Sequence, residues 1–285
     1  MPFAPVRAPR LTIFGFFLAA AGFSASQAQP GGPDEGTAII PGTPWHVHDG
    51  MRPQPPVVAP GASFSELAAP PADATVLFDG KDLSQWEAAD GGVLSARIVD
   101  GAIEVIPANG HHHFRTKQVY PDFQLHLEFA TPLKINGKGQ NRGNSGVLIN
   151  GMYEIQILDS HDNPTYPDGQ AGAIYGQTPP LVNSSRPPGQ WQTYDIIFES
   201  PLWDKAGLLV KKAAVTVIQN GVVVQNHREI FGSTDGINGI PHKSLGVYHA
   251  PHPPEVFIEL QEHKNPVRFR NIWIRSLGIY DRDAK

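Results

Sequence analysis

The sequence contains no cysteine, which excludes disulfides, thiolate metal sites and cysteine nucleophiles together. It has no excess of basic charge either. Its 22 Lys and Arg stand against 27 Asp and Glu, a formal net charge of -5, so nothing favours a phosphate backbone and nucleic-acid binding is not expected. Hydrophobic runs long enough to cross a bilayer are missing too: Leu11–Gly22 has about twelve residues, where a helical span needs roughly 20. Helical periodicity is equally scarce. What is abundant is glycine and proline, 29 and 28 residues of 285, a fifth of the chain against a usual share of roughly 12%. Both residues cost stability inside helices and both mark turns, so the composition predicts many short strands in one large all-β domain or two small ones.

The amino terminus has its own character. Arg7 and Arg10 precede the apolar run and Ser26-Gln27-Ala28 follows it, the order of a secretory signal cleaved after Ala28. The expectation is an exported protein, periplasmic or secreted, with no membrane span and no lipid-bearing cysteine. Residues 29–74 hold ten prolines and six glycines and read as an extended leader. Within it, Trp45, His46, His48, Asp49 and Arg52-Pro53 crowd together. Two readings of this stretch stay open: a solvated linker, or a strap that lends polar groups to a site on the domain.

Residues 75–285 read as strands and turns. Asp100-Gly101 and Asn220-Gly221 each separate two β-type runs, Ile98–Val105 and Val215–Val224, the strongest short hairpin signal. Strand-type segments also cover Phe123–Phe129, Val147–Leu158, Trp191–Phe198, Leu245–Tyr248, Val256–Gln261 and Val267–Ile274. About a dozen strands without helices predict an all-β sandwich or jelly roll. In three segments the alternation leaves polar residues on one face: Gln124, His126 and Glu128; Glu154 and Gln156; Glu259, Gln261 and His263. Each set fits a solvated outer face. Each also fits a concave face for sugars, which need directional donors and acceptors beside flat rings.

Several ordered blocks carry a resemblance: Leu77–Leu83 with Trp86, Asp122–Phe129, Gly143–Val147, Tyr153–Ser160, Gly172–Tyr175, Gly189–Gln192, Leu260–His263 and Val267–Ile272. Together they resemble the 3-keto-disaccharide hydrolase domain family, long known only as a domain of unknown function, over Thr75–Tyr280. The leader, with His48-Asp49 and Arg52-Pro53, resembles that of a subgroup. The resemblance implies a concanavalin A-like jelly roll of the lectin and glucanase type, one domain behind an N-terminal leader. It also implies an exported bacterial protein acting on glycosides whose 3-hydroxyl has been oxidised to a ketone. No glycine-rich nucleotide motif occurs in the chain, so a separate sugar 3-dehydrogenase is expected to make that ketone.

A C3 ketone acidifies the hydrogen on C2, so one base, one acid and a donor to the enolate oxygen suffice for cleavage. Retaining glycosidases instead need two carboxylates about 5 Å apart. Laminarinase-type jelly rolls place three acids at alternate positions of one strand, whereas this chain has Glu154, Gln156 and Leu158 there. The expected roles are Glu154 as acid or base, His263 or His126 as its partner, and Arg142 or Arg270 on the keto oxygen or a hydroxyl. Asn144, Gln156, Gln261 and Tyr175 are candidates for binding a small carbohydrate. Asp159 is either a further site residue or an Asx-type cap of its loop. A divalent metal is possible but not assigned: His111-His112-His113 form one candidate cluster, and Glu154, Asp159, His126 and His263 another if folding unites them. Two other functions stay open, a non-catalytic carbohydrate-binding module and an ordinary glycosidase on unoxidised sugars.

Overall fold

The computed structural model describes residues 36–62, 65–108, 112–234 and 244–278. The signal segment 1–28, His111 and the end of the matched blocks at Tyr280 lie outside them. Fifteen strands form the described residues: β1 (Thr75–Phe78), β2 (Trp86–Ala88), β3 (Ala96–Val99), β4 (Ala102–Val105), β5 (Phe114–Thr116), β6 (Phe123–Ala130), β7 (Ser145–Ile149) and β8 (Tyr153–Ile157). They continue with β9 (Gln192–Glu199), β10 (Leu202–Trp203), β11 (Leu209–Lys211), β12 (Ala214–Gln219), β13 (Val222–Glu229), β14 (Ile258–Leu260) and β15 (Arg268–Ser276). The only helical pieces among them are two single 3-10 turns, Gly139–Asn141 and Pro167–Gly169. No described helix is long and apolar enough to cross a membrane.

The strands build two antiparallel sheets and a small β10–β11 ribbon. The larger sheet has the order β13-β12-β9-β6-β15-β4-β3, with β1 also pairing on β15, and the smaller has the order β2-β5-β14-β7-β8. Alternation dictates how they meet. Phe123, Leu125, Leu127 and Phe129 of β6 point inward with Tyr194, Ile196 and Phe198 of β9, against Val147, Ile149, Tyr153, Ile155 and Ile157 of the smaller sheet. Aromatic contacts stitch this layer: Phe123 stacks on Phe198 at 5.3 Å and Phe129 lies 4.7 Å from Tyr194. Truncating one such ring to alanine costs about 3–5 kcal/mol, from lost burial and the cavity left behind. The result is the jelly-roll sandwich that the strand pattern predicts.

Both expected hairpins form, because Asp100-Gly101 and Asn220-Gly221 adopt the positive φ that a two-residue turn demands. Two segments depart from the sequence reading. Val147–Leu158 is a hairpin instead of one run, since Asn150 and Gly151 both take positive φ and reverse the chain between β7 and β8. Leu245–Tyr248 forms no strand. Its backbone packs directly on Gly232 and Ser233, and the Ser233 N–H donates to the Val247 carbonyl at 3.3 Å.

The leader lies on the domain, so of its two readings the strap describes it. Val57 bridges Asn183 in parallel, and Gln54 donates to the Thr165 carbonyl at 2.6 Å. This first part lies on loops beside the smaller sheet. A second part, Ser65–Asp73, crosses the outer face of the larger sheet, where Arg275 grips Asp73 at 2.6 Å.

Candidate functional site

The outer face of the smaller sheet holds one set of the expected residues. With Val147, Tyr153, Ile155, Ile258 and Leu260 committed to the core, alternation turns Asn144, Gly146, Leu148, Glu154, Gln156, Glu259 and Gln261 outward. Register arranges them in rows. Glu154, Leu148 and Glu259 are opposite one another, and Gln156 is opposite Gly146, whose carbonyl accepts the Gln261 N–H at 3.0 Å. This is not a solvated face: Glu154 is 3% exposed, Gln156 0% and Gln261 8%.

Glycine makes the arrangement possible. Glu154 leans over Gly146, where any Cβ would collide with its Oε1. That tilt carries the carboxylate toward Gln156, whose amide nitrogen donates to Glu154 Oε1 at 3.2 Å and to the Ser145 carbonyl at 2.9 Å. Asn144 donates to the Gln140 carbonyl at 2.7 Å. Asn144 Oδ1 and Gln261 Oε1 are buried acceptors without a protein donor, which hydroxyl groups of a ligand would satisfy. Glu259 leans the opposite way, over the hairpin tip at Gly151. Burial pushes its pKa up to about 7, against the opposing pull of Arg115. The sequence showed Glu259 on this polar face, but only the burial marks it as a titrating group.

Beyond β8 the chain returns as a further extended segment. Ile174 bridges Ile155, the Tyr175 N–H donates to the Glu154 carbonyl at 3.1 Å, and the Gln156 N–H donates to that of Ala173 at 3.0 Å. Because Ile155 and Ile174 both face the core, Glu154 and Tyr175 are cross-strand neighbours on the outer face. The Tyr175 hydroxyl is 2.6 Å from that of Tyr166. Against this pair lies the leader: the His48 ring stacks on Tyr166 at 4.0 Å and sits 5.0 Å from Tyr175. Asp168 accepts the His48 backbone N–H at 2.8 Å. Tyr166 and Asp168 were not among the expected site residues, whereas His48 lies in the crowded stretch Trp45 to Pro53 for which the strap reading was one of two left open.

At one end of this face Arg142 and Asp159 form a buried pair. Arg142 donates to Asp159 Oδ2 at 2.6 Å and to the carbonyls of His161 at 2.7 Å and Asp162 at 3.3 Å. Asp159 also accepts the His161 N–H at 3.3 Å, the geometry of an Asx turn. The pair borders a cavity of about 330 Å³ with Ile135, Lys264 and Asn265. His263 is half-buried in the loop after Gln261, and its carbonyl accepts from Asn265 at 2.9 Å.

His126 and Arg270 are elsewhere, on the outer face of the larger sheet, and the structure does not bring them to Glu154. The reason is register: β6 and β15 point these side chains away from the core that separates the two sheets. There His126 bonds Asp195 at 2.8 Å and stacks on Trp273 at 5.1 Å. A bulge in β15 between Arg270 and Trp273 sets Asn271 at positive φ, letting it donate to Glu128 at 2.9 Å while Arg270 donates at 2.7 Å. The leader seals the cluster: Ser65 donates to Asp195, the Leu67 N–H to Glu128, and the Ala68 carbonyl accepts from Asn271. Burial works to raise the pKa of Glu128, but the bonds from His126, Asn271, Leu67 and Arg270 outweigh it and hold it at about 2. His126 is shifted up: burial opposes its charge, and the bonds to Asp195 and Glu128 prevail.

The described residues offer no group of three His, Asp or Glu side chains placed to hold a metal ion. Of the expected histidine cluster, His112 pairs with Asp90 at 3.0 Å while His113 accepts the Glu262 N–H at 3.2 Å, so the two diverge. The second expected set is divided between the two sheets. Among the described residues these donors do not converge on a metal site.

A sequence model of the 3-keto-alpha-glucoside-1,2-lyase-like domain matches residues 73–275. The chain is similar to the crystal structure of a candidate glycosyl hydrolase from Parabacteroides distasonis, with 46% identity over 79% of this chain and 93% of that one and a TM-score of 0.67. A second candidate glycosyl hydrolase from the same organism is 26% identical over 72% of this chain and 99% of that one, with a TM-score of 0.50. No curated protein matches.

Proposed function

This chain belongs to the 3-keto-alpha-glucoside-1,2-lyase-like domain family, and from that premise we propose that it is a glycoside-cleaving enzyme acting on 3-keto-glycosides. Glu154 takes the proton from C2, which the neighbouring ketone acidifies, and the enolate expels the group at C1. Water then adds at C1 while the proton returns to C2, so the net reaction is hydrolysis. Gln156, Asn144 and Gln261 hold hydroxyl groups of the sugar. One observation carries this reading: the Glu154 carboxylate is set over Gly146 beside the Gln156 amide, the placement of a general base. The enzyme works outside the cytoplasm, on the strength of the signal-like residues 1–28. Its substrate comes from a separate reaction that oxidises a sugar's C3 hydroxyl.

A second reading has one observation in its favour. Glu259, with its pKa near 7, would serve as the acid of an inverting glycosidase, with Glu154 as the base. The two carboxylates flank Leu148 across strands spaced about 4.8 Å apart, within reach of an inverting pair, yet they lean apart. Incubating the protein with sucrose or trehalose and with their 3-keto forms separates the readings. Monosaccharide released from the keto forms alone is expected. Release from the unoxidised sugars selects the inverting glycosidase, and binding without release selects a carbohydrate-binding module.

A further inference from the structure

The family domain begins at residue 73, yet a side chain from well before it reaches the site. The His48 ring is buried, its side chain 1% exposed, with Nδ1 3.3 Å from Asp168 Oδ2. Its backbone is held at φ 60, a left-handed conformation that a non-glycine residue adopts at a cost, and Asp168 fixes it there by accepting the N–H. The ring lies flat against Tyr166, whose hydroxyl touches that of Tyr175. Tyr175 is half-buried and is the cross-strand neighbour of Glu154, so the phenol and the carboxylate share the outer face.

We propose that the leader completes the active site: Tyr175 is the general acid that protonates the departing glycosidic oxygen, and His48 positions it through Tyr166. This rests on the keto-glycoside reading above and names the acid that reading leaves unassigned. In the first half-reaction the C2–H electron pair forms the enolate as Glu154 takes the proton. The C1–O bond breaks, and the leaving oxygen takes the Tyr175 proton, giving an alcohol and an unsaturated ketone. In the second half-reaction water adds to C1 and gives a proton to the Tyr175 phenolate, while Glu154 returns its own to C2. Both residues end as they began.

Cross-strand pairing holds acid and base on the same face, about 5 Å apart at Cβ. The charged groups around His48 are Asp168 at its ring and, beyond it, Arg52, which faces Asp168, Asp49 and Arg228. Asp168 and the stacked Tyr166 ring restrict the imidazole to one orientation, and the short hydroxyl contact passes that restriction to Tyr175.

A leaving group that needs no proton exposes this role. Tyr175→Phe should lower kcat/KM for a methyl 3-keto-glucoside by about 10²–10³-fold, but less than about tenfold for the 4-nitrophenyl 3-keto-glucoside, whose phenolate departs unaided. His48→Gln should show the same selectivity at about tenfold, and its retained rate on the nitrophenyl substrate certifies the fold. Equal losses on both substrates, or a His48→Gln enzyme unchanged on both, overturn the proposal while leaving the keto-glycoside reading in place. If the wild-type protein turns over neither keto-glucoside, that reading fails and the proposal goes with it.

Discussion

The two outer faces of the sandwich are built from the same residue types and do opposite things. On the larger sheet His126, Glu128, Asp195, Arg270 and Asn271 satisfy one another, and the leader supplies the remaining donors and acceptors. On the smaller sheet Gln261 and Asn144 keep buried acceptors that no protein donor meets, glycines hold space open around two carboxylates, and one of these, Glu259, titrates near 7. A saturated network fixes a segment of chain. An unsaturated one, beside a carboxylate in reach of a phenol, has capacity left for a ligand. The difference lies in the partners of the polar groups, not in their identity.

The sharpest way to break this contrast is to neutralise one carboxylate on each face. Glu154→Gln should reduce turnover of a 3-keto-glucoside by about 10²–10⁴-fold with little change in melting temperature; steady-state kinetics and a thermal scan together check it. Arg270→Ala, on the other face, should do the reverse. It strands the buried Glu128 charge and should cost about 3–5 kcal/mol of stability in a denaturant titration, with the rate per folded molecule within a few-fold of wild type. A large catalytic loss in Arg270→Ala with unchanged stability would erase the distinction between the faces.

Acid and base should separate the faces further. Glu128 is held at about 2, below the ordinary carboxyl value of about 4.3, so its stabilisation is complete above that value and is lost as pH falls toward 2. Glu259 has the opposite sign. Its folded pKa of about 7 lies above the unfolded one, so the folded state binds the extra proton between them and loses stability as pH rises through that window. Glu259→Gln should therefore stabilise the protein by roughly 1–3 kcal/mol at pH near 8, and make no difference below about 4.3. Urea titrations at the two pH values measure it.

Much of this could be read from the residues, because side-chain direction in a strand follows parity. Glu154 with Gln156 and Glu259 with Gln261 were legible as shared faces, and Asp100-Gly101 and Asn220-Gly221 as turns. Parity could not say that the His126 face and the Glu154 face lie on opposite sides of the core, since sheet membership depends on strands paired over long stretches of sequence. Nor could it place His48, which reaches Tyr166 through a leader with no strand periodicity. The Leu245–Tyr248 segment shows the same limit from the other side: its residues favour a strand, yet close packing on Gly232 and Ser233 leaves it without a ladder.

The central claim is that Glu154, on the smaller sheet, removes the C2 proton of a 3-keto sugar. Proton NMR of a 3-keto-glucoside incubated with the protein in deuterium oxide tests this directly. The wild-type protein should exchange the C2 hydrogen for deuterium or consume the substrate, and Glu154→Gln, folded to the same extent, should do neither above the rate without protein. Exchange at an undiminished rate in Glu154→Gln would contradict the account.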